Sequence, residues 1–108
     1  MNYEKVSVYI NEAEQWQNRP LYLELLDLLQ KYDVAEGTVL RGVAGFPRDS
    51  MSKTSLFHRT KKLPLVIQFI DKVTLIEVVL PELKKIIPDH LIIRVPVEVV
   101  NRDERYSL

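Results

Sequence analysis

Alternation of apolar and polar residues predicts four β-strands along the chain. Between Lys5 and Ile10 every even-numbered position is valine or isoleucine, whereas the odd-numbered positions are polar or aromatic. This period of two residues is typical of a half-buried strand. The other segments rich in strand-forming residues are 38–44, 64–71 and 91–100.

Two segments between these strands have helical periodicity. Pro20 stands where a first helical turn tolerates proline, and the apolar stripe that follows it consists of Leu21, Leu25, Leu28, Leu29 and Tyr32. Residues 73–87 repeat apolar side chains at the same spacing, but Pro81 interrupts them. We therefore predict either a helix kinked near residue 77 or two short helices.

The resulting order, β-α-β-β-α-β, predicts an α+β fold of the ferredoxin-like type. In that arrangement two helices cover one face of a four-stranded antiparallel sheet. The first and third strands are central, and the second and fourth lie at the edges. Pro96 agrees with this order, since proline within a strand favours an edge position.

The face of the sheet without helices is expected to be apolar. On the fourth strand we expect the odd-numbered residues to face the helices, namely Leu91, Ile93, Val95, Val97 and Val99. The open face would then carry Tyr9 together with Ile92, Arg94, Pro96, Glu98 and Val100. The third strand adds either Val66, Gln68 and Ile70 or Leu65, Ile67 and Phe69. Such a face favours a homo-oligomer, with a monomer that tolerates an apolar sheet as the alternative.

Composition agrees with one small folded domain. The chain has 108 residues, 46% hydrophobic and 28% charged, so we predict a single domain over 1–108, with a core at about 3–100, a mobile loop at 47–62 and a tail at 101–108. Fifteen basic residues balance fifteen acidic ones, which argues against nucleic acid as a partner. Residues 1–10 carry no basic segment typical of a secretory signal, so a cytoplasmic location is expected.

Positive charge is concentrated after the second strand. Residues 47–62 contain five basic residues and one acidic residue, and Arg41 stands shortly before them. This segment could bind an anion or an acidic partner, or it could be a solvated loop. Gly42 and Gly45 would allow a bulge, or a close approach of phosphate to backbone N–H groups.

Other chemistry has little support in the sequence. The chain has no cysteine, and its two histidines lack metal-site spacing. No nucleophile elbow is present, so we predict no metal, no required cofactor and no enzymatic activity. Four acidic residues of the first half are interpreted as surface charge: Glu12, Glu14, Glu24 and Asp27.

Several strings resemble the uncharacterised PII-like proteins, which share the fold of PII nitrogen-regulatory proteins and CutA. They are Arg19-Pro-Leu-Tyr22, Gly37-Thr-Val-Leu-Arg-Gly42, Gly45-Phe46, and Leu63-Pro64 before a strand ending in Asp71. The resemblance covers about residues 3–100. It implies a homotrimer whose sheets pack inward, and it equates the long loop with the T-loop through which PII proteins contact targets. Adenine nucleotides bind in clefts between subunits of PII proteins, at the base of that loop.

PII proteins also have a glycine-rich phosphate loop before the last strand, but residues 87–90 contain no glycine here. Arginines and loop lysines would then supply the charge for phosphate. The predicted ligand-binding residues are Arg41, Gly42, Gly45, Phe46, Lys61, Lys62 and Arg94. The predicted partner-binding residues are Arg48, Lys53, His58 and Arg59.

The leading hypothesis is a trimeric PII-like signalling protein. It would bind a small anionic ligand, with an adenine nucleotide as the candidate, and contact a target protein such as a membrane transporter. The alternatives are a small phosphate-handling enzyme on a ferredoxin-like fold, like the acylphosphatases, and an interaction module without a ligand. The enzyme is disfavoured because residues 11–14, where its phosphate loop would lie, are acidic.

Overall fold

A computed structural model describes residues 2–45 and 63–101. Within these ranges the chain forms six strands and two helices in a βββαββαβ order, the second and third strands being two residues each. The elements are β1 (Tyr3–Asn11), β2 (Gln15–Trp16), β3 (Arg19–Pro20), α1 (Leu21–Lys31), β4 (Glu36–Arg41), β5 (Pro64–Lys72), α2 (Val73–Ile86) and β6 (Leu91–Val97). Neither helix in these ranges is long and apolar enough to cross a membrane.

Four strands form one antiparallel sheet in the order β4-β5-β1-β6. The first and third predicted strands, β1 and β5, are therefore central, and β4 and β6 lie at the edges. The predicted ferredoxin-like α+β fold is confirmed. Pro96 lies in the edge strand β6, where its missing N–H interrupts no central ladder.

The core lies between one face of the sheet and the two helices. Each helix contributes one apolar stripe, because residues three or four positions apart share a helix face. The stripe of α1 buries Leu21, Leu25 and Leu29. The stripe of α2 buries Ile76, Val79 and Leu83. Alternate residues of β1 and β5 supply the sheet side of the core: Val6, Val8, Ile10, Leu65, Ile67 and Phe69.

Helix α2 is continuous through Pro81, so the expectation of two short helices is wrong. Proline removes one N–H from the helical hydrogen-bond pattern. Pro81 is exposed, whereas Ile76 and Val79 on one side of it and Leu83 on the other are fully buried. Packing of this stripe against the sheet therefore keeps the turns on both sides of Pro81 helical despite the missing hydrogen bond.

The faces of β6 are the reverse of those expected. The strand register places Ile92 opposite Val8 and Arg94 opposite Val6, and both valines are buried on the helix side. The open face therefore carries Leu91, Ile93, Val95 and Val97. The error arose because both alternating sets of this strand are largely apolar, so alternation alone did not determine which set faces the helices. Residues 98–100 lie beyond the end of β6.

The segment between β1 and α1 contains a small hairpin formed by β2 and β3. Trp16 pairs with Arg19, and the two linking residues, Gln17 and Asn18, have φ angles of 49° and 65°. Two consecutive residues with positive φ are typical of a two-residue hairpin turn of type I′. The sequence lacks the usual glycine at this turn, which explains why the hairpin was not predicted.

Candidate functional site

Three strand ends meet at one corner of the sheet. Arg41, the last residue of β4, pairs with Leu65, and Asn11, the last residue of β1, pairs with Pro64, the first residue of β5. The chain departs from this corner after β4 and returns to it at Leu63. The two ends of the intervening connection are therefore adjacent in space, beside the end of β1.

Glu12 joins these strand ends through hydrogen bonds. Its Oε1 accepts the Leu63 N–H at 3.2 Å, and its own N–H donates to the Leu63 carbonyl at 3.0 Å. Its Oε2 accepts hydrogen bonds from Arg41 Nε, at 3.1 Å, and from Arg41 Nη2. We call this group of Glu12, Arg41 and Leu63 the Glu12 cluster.

The charges of the Glu12 cluster are partly open to water. The Arg41 side chain is 64% exposed, and that of Glu12 is 20% exposed. Hydrogen bonding from Arg41, and secondarily from the Leu63 N–H, lowers the pKa of Glu12, while desolvation opposes this shift. Glu12 is therefore held in its ionised form as the partner of an accessible guanidinium.

Glycine is favoured beside this cluster because Pro64 approaches closely. The Gly42 N–H donates to the Pro64 carbonyl at 2.8 Å. A Cβ at position 42 would lie 2.7 Å from Pro64 Cγ, and one at Gly45 would lie 3.0 Å from the same atom. The Gly42 N–H is thus already engaged, so an anion at this corner would depend on Arg41 for its principal contact.

Arg94 lies at the opposite edge of the sheet, on the helix side of β6. Its Nε donates to Glu4 at 2.7 Å and its Nη2 to Glu77 of α2 at 2.6 Å. These hydrogen bonds, first to Glu77 and then to Glu4, raise the pKa of Arg94. The sheet order separates Arg41, on β4, from Arg94, on β6, by two central strands. One copy of the chain does not bring the two arginines together.

The structure brings together Arg41, Gly42 and Gly45 of the predicted ligand-binding set. The other predicted residues, apart from Arg94, lie outside the described residues: Phe46, Lys61, Lys62, Arg48, Lys53, His58 and Arg59. Within residues 2–45 and 63–101 there is no group of three or more side chains suited to hold a metal ion.

Sequence reasoning did not identify Glu12 as part of this corner. It stands in the acidic run 11–14, which we interpreted as surface charge. Each of the four acidic side chains interpreted as surface charge has a cationic or histidine partner. Glu12 pairs with Arg41, Glu14 with His90 at 2.6 Å, and Glu24 and Asp27 with Arg19 at 3.0 and 2.9 Å. Arg41 could have been recognised as the partner of Glu12 only if the fold had been known, because the two residues are 29 positions apart in the chain.

The open face of the sheet is the second prominent feature. Apolar side chains of β6 and β5 are exposed on it, with Leu91 at 59% as the extreme and Ile93, Val95 and Ile70 near 40%. Tyr9 of β1 lies among them, opposite Leu91. A contiguous apolar surface of this kind usually marks an interface.

The fold is that of PII-like proteins. The chain is similar to the structure of CPII, a nitrogen regulatory PII-like protein from Thiomonas intermedia K12 bound to ADP, AMP and bicarbonate. The TM-score is 0.68 at 14% identity, and the match covers 94% of this chain and 91% of that one.

Sequence comparison supplies the family. A family model matches residues 3–99, and the chain belongs to that family, DUF190, described as Uncharacterized ACR. It is 23% identical to the UPF0166 protein MJ1524 of Methanocaldococcus jannaschii, over 94% of each chain. It is 30% identical to a UPF0166 protein of Aquifex aeolicus, over 71% of this chain and 74% of that one.

Proposed function

We propose that the protein is a homotrimeric PII-like regulator that binds a small anionic ligand. An adenine nucleotide is the candidate ligand, and its site would be a cleft between subunits next to Arg41, Gly42 and Gly45. Residues 47–62, which carry the excess of positive charge, would contact a target protein such as a membrane transporter. No turnover of the ligand is part of this proposal.

The observation that carries the proposal is the position of Arg41. An accessible guanidinium lies at the corner where the chain leaves β4 and returns to β5. It lies next to Gly42 and Gly45, where the absence of a side chain lets the backbone approach Pro64 closely. Guanidinium groups bind phosphate through paired N–H donors. The CPII structure, which shares this fold, contains ADP and AMP, and this supports adenine nucleotides as the first ligands to test.

The open face supports assembly from identical copies. Packing of this face against other copies would remove exposed apolar side chains of β5 and β6 from water, which is favourable in proportion to the buried area. A ring of three copies would also create clefts between neighbouring subunits. Sedimentation analysis at micromolar concentration tests this half of the proposal, and a stable single-copy species would refute it.

Calorimetric titration tests the ligand half. ADP, AMP and ATP should be titrated into the wild type, into Arg41→Gln and into Arg19→Gln. Arg19 is a matched control, since its guanidinium is also exposed and also bound by carboxylates, those of Glu24 and Asp27 on α1. We expect binding to the wild type and to Arg19→Gln, and at least a tenfold weaker affinity for Arg41→Gln.

Two results would overturn the ligand half. Absence of binding by all three nucleotides would favour the interaction module without a ligand. Equal loss in the two arginine variants would show that general charge, and not the corner at Arg41, attracts the nucleotide. A phosphatase assay on the same samples tests the remaining alternative of a phosphate-handling enzyme, which requires turnover that Arg41→Gln abolishes.

A further inference from the structure

Glu12 occupies the donors of Arg41 that an anionic ligand would use. Both Arg41 Nε and Arg41 Nη2 donate to the same carboxylate oxygen, Glu12 Oε2. A phosphate oxygen binds a guanidinium through the same pair of donors. In this structure the anion at Arg41 is therefore a side chain of the protein itself.

The other carboxylate oxygen of Glu12 links this contact to the returning chain. Glu12 Oε1 accepts the Leu63 N–H, and the backbone of Glu12 binds the Leu63 carbonyl. The side chain thus spans from the end of β4 to the residue preceding β5. Any movement of the carboxylate away from Arg41 also changes its hydrogen bond to Leu63, because both oxygens belong to one rigid group.

We propose that Glu12 is an internal competitor for Arg41, which an anionic ligand must displace and which couples ligand binding to the contact with Leu63. This inference rests on the proposed function, because it concerns the same anion site. A ligand phosphate beside an ionised Glu12 would meet a like charge only a few ångströms away, so the carboxylate must leave Arg41 when the phosphate binds. The affinity of the resting protein is reduced accordingly.

Linkage makes the coupling reciprocal. If ligand binding weakens the Glu12–Leu63 hydrogen bond, then a change that weakens that bond must favour ligand binding to the same degree. Such a competitor would also favour ligands with more negative charge, since these gain more from Arg41. We therefore expect pyrophosphate and ADP to displace Glu12 more readily than AMP.

Neutralisation of Glu12 tests the proposal, because removal of a competitor should increase the affinity for the ligand and not decrease it. ADP and pyrophosphate should be titrated calorimetrically into the wild type, Glu12→Gln and Glu24→Gln. Glutamine retains an oxygen for Leu63 but removes the charge that holds Arg41. Glu24 is the matched control, because it pairs with another arginine, Arg19, at 3.0 Å. We expect Glu12→Gln to bind both ligands roughly five- to tenfold more tightly, as one unit charge near a solvated site implies, and Glu24→Gln to match the wild type.

A double variant separates competition from a structural role. In the Arg41→Gln background, Glu12→Gln should tighten binding much less than in the wild type, because the guanidinium for which the carboxylate and the ligand compete is gone. If the wild type binds through Arg41 but Glu12→Gln binds equally or more weakly, the competition is refuted and the proposed function stands. If neither ligand binds to the wild type or to Glu12→Gln, both proposals are overturned. If Glu12 only maintained the conformation of this corner, its replacement would weaken ligand binding.

Discussion

Two glycines, one near the start of β4 and one just after its end, should respond in opposite directions to the same substitution. A methyl group at Gly37, within β4, would lie 3.6 Å from Leu29 Cδ1 and 3.7 Å from Leu26 Cδ2, which is ordinary van der Waals contact with α1. A methyl group at Gly42 would lie 2.7 Å from Pro64 Cγ. Neither glycine has a positive φ, so the backbone itself accepts alanine at both positions.

The expected magnitudes follow from these contacts. Gly37→Ala should stabilise the fold by about 0.5–1 kcal/mol, since alanine loses less backbone freedom than glycine in a strand. Gly42→Ala gains the same backbone term but must displace the rigid Pro64 ring, and overpacking of this kind costs about 1–3 kcal/mol. The net effect at Gly42 is a destabilisation of about 1 kcal/mol, with weakening of its hydrogen bond to Pro64.

Urea unfolding followed by far-ultraviolet circular dichroism measures both effects. The two variants should differ by about 1.5–2 kcal/mol, or about 1 M in urea midpoint for an m value of about 2 kcal/mol/M. Protomer concentration must be equal in all samples, because assembly adds to apparent stability. If both variants shift the midpoint in the same direction, the close approach of Pro64 does not explain glycine at position 42.

Three further predictions concern charge, turn and core. Because the pKa of Glu12 is lowered in the fold, its charge stabilises the protein above the ordinary glutamate pKa of about 4.3. The wild type should therefore be more stable than Glu12→Gln in urea titrations, and this difference should vanish as the pH falls through the lowered pKa. A difference that grows in acid would contradict this prediction. Asn18→Gly should raise the stability in thermal unfolding by about 0.5–1 kcal/mol, since glycine adopts the positive φ of this turn without strain, and a lower melting temperature would contradict the turn assignment. Leu25 is fully buried, so Leu25→Ala should lower the free energy of unfolding in urea by about 2–5 kcal/mol. Leu23 is exposed on the same helix, so Leu23→Ala should lower it by less than about 1 kcal/mol. Equal losses would contradict the core described for α1.

The topology could be predicted because each element has its own period. Apolar residues of β1 alternate, and those of α1 recur every three or four positions, so both elements indicate which side is buried without any reference to the rest of the chain. Pro96 added independent information about the order of strands, since it favours an edge. Local patterns of this kind depend only on neighbouring residues.

The features that could not be predicted depend on distant partners. Both alternating sets of β6 are mainly apolar, so its facing was determined by the register with β1 and not by its own composition. The Glu12 cluster joins residues 29 and 51 positions apart in the chain. No local pattern distinguishes Glu12 from Glu14, the other acidic residue of the run 11–14.

The reversed facing of β6 alters the two halves of the proposed function in different ways. The open face gains Ile93 and Val95 and loses Arg94, so it is more apolar than expected and better suited to pack against identical copies. Arg94 is bound instead by Glu4 and Glu77, and two strands, β5 and β1, separate it from Arg41. An anion site that uses both arginines therefore requires a second copy of the chain, together with release of Arg94 from two carboxylates. A site based on Arg41 does not depend on Arg94, so Arg41→Gln should weaken nucleotide binding whether or not Arg94 takes part.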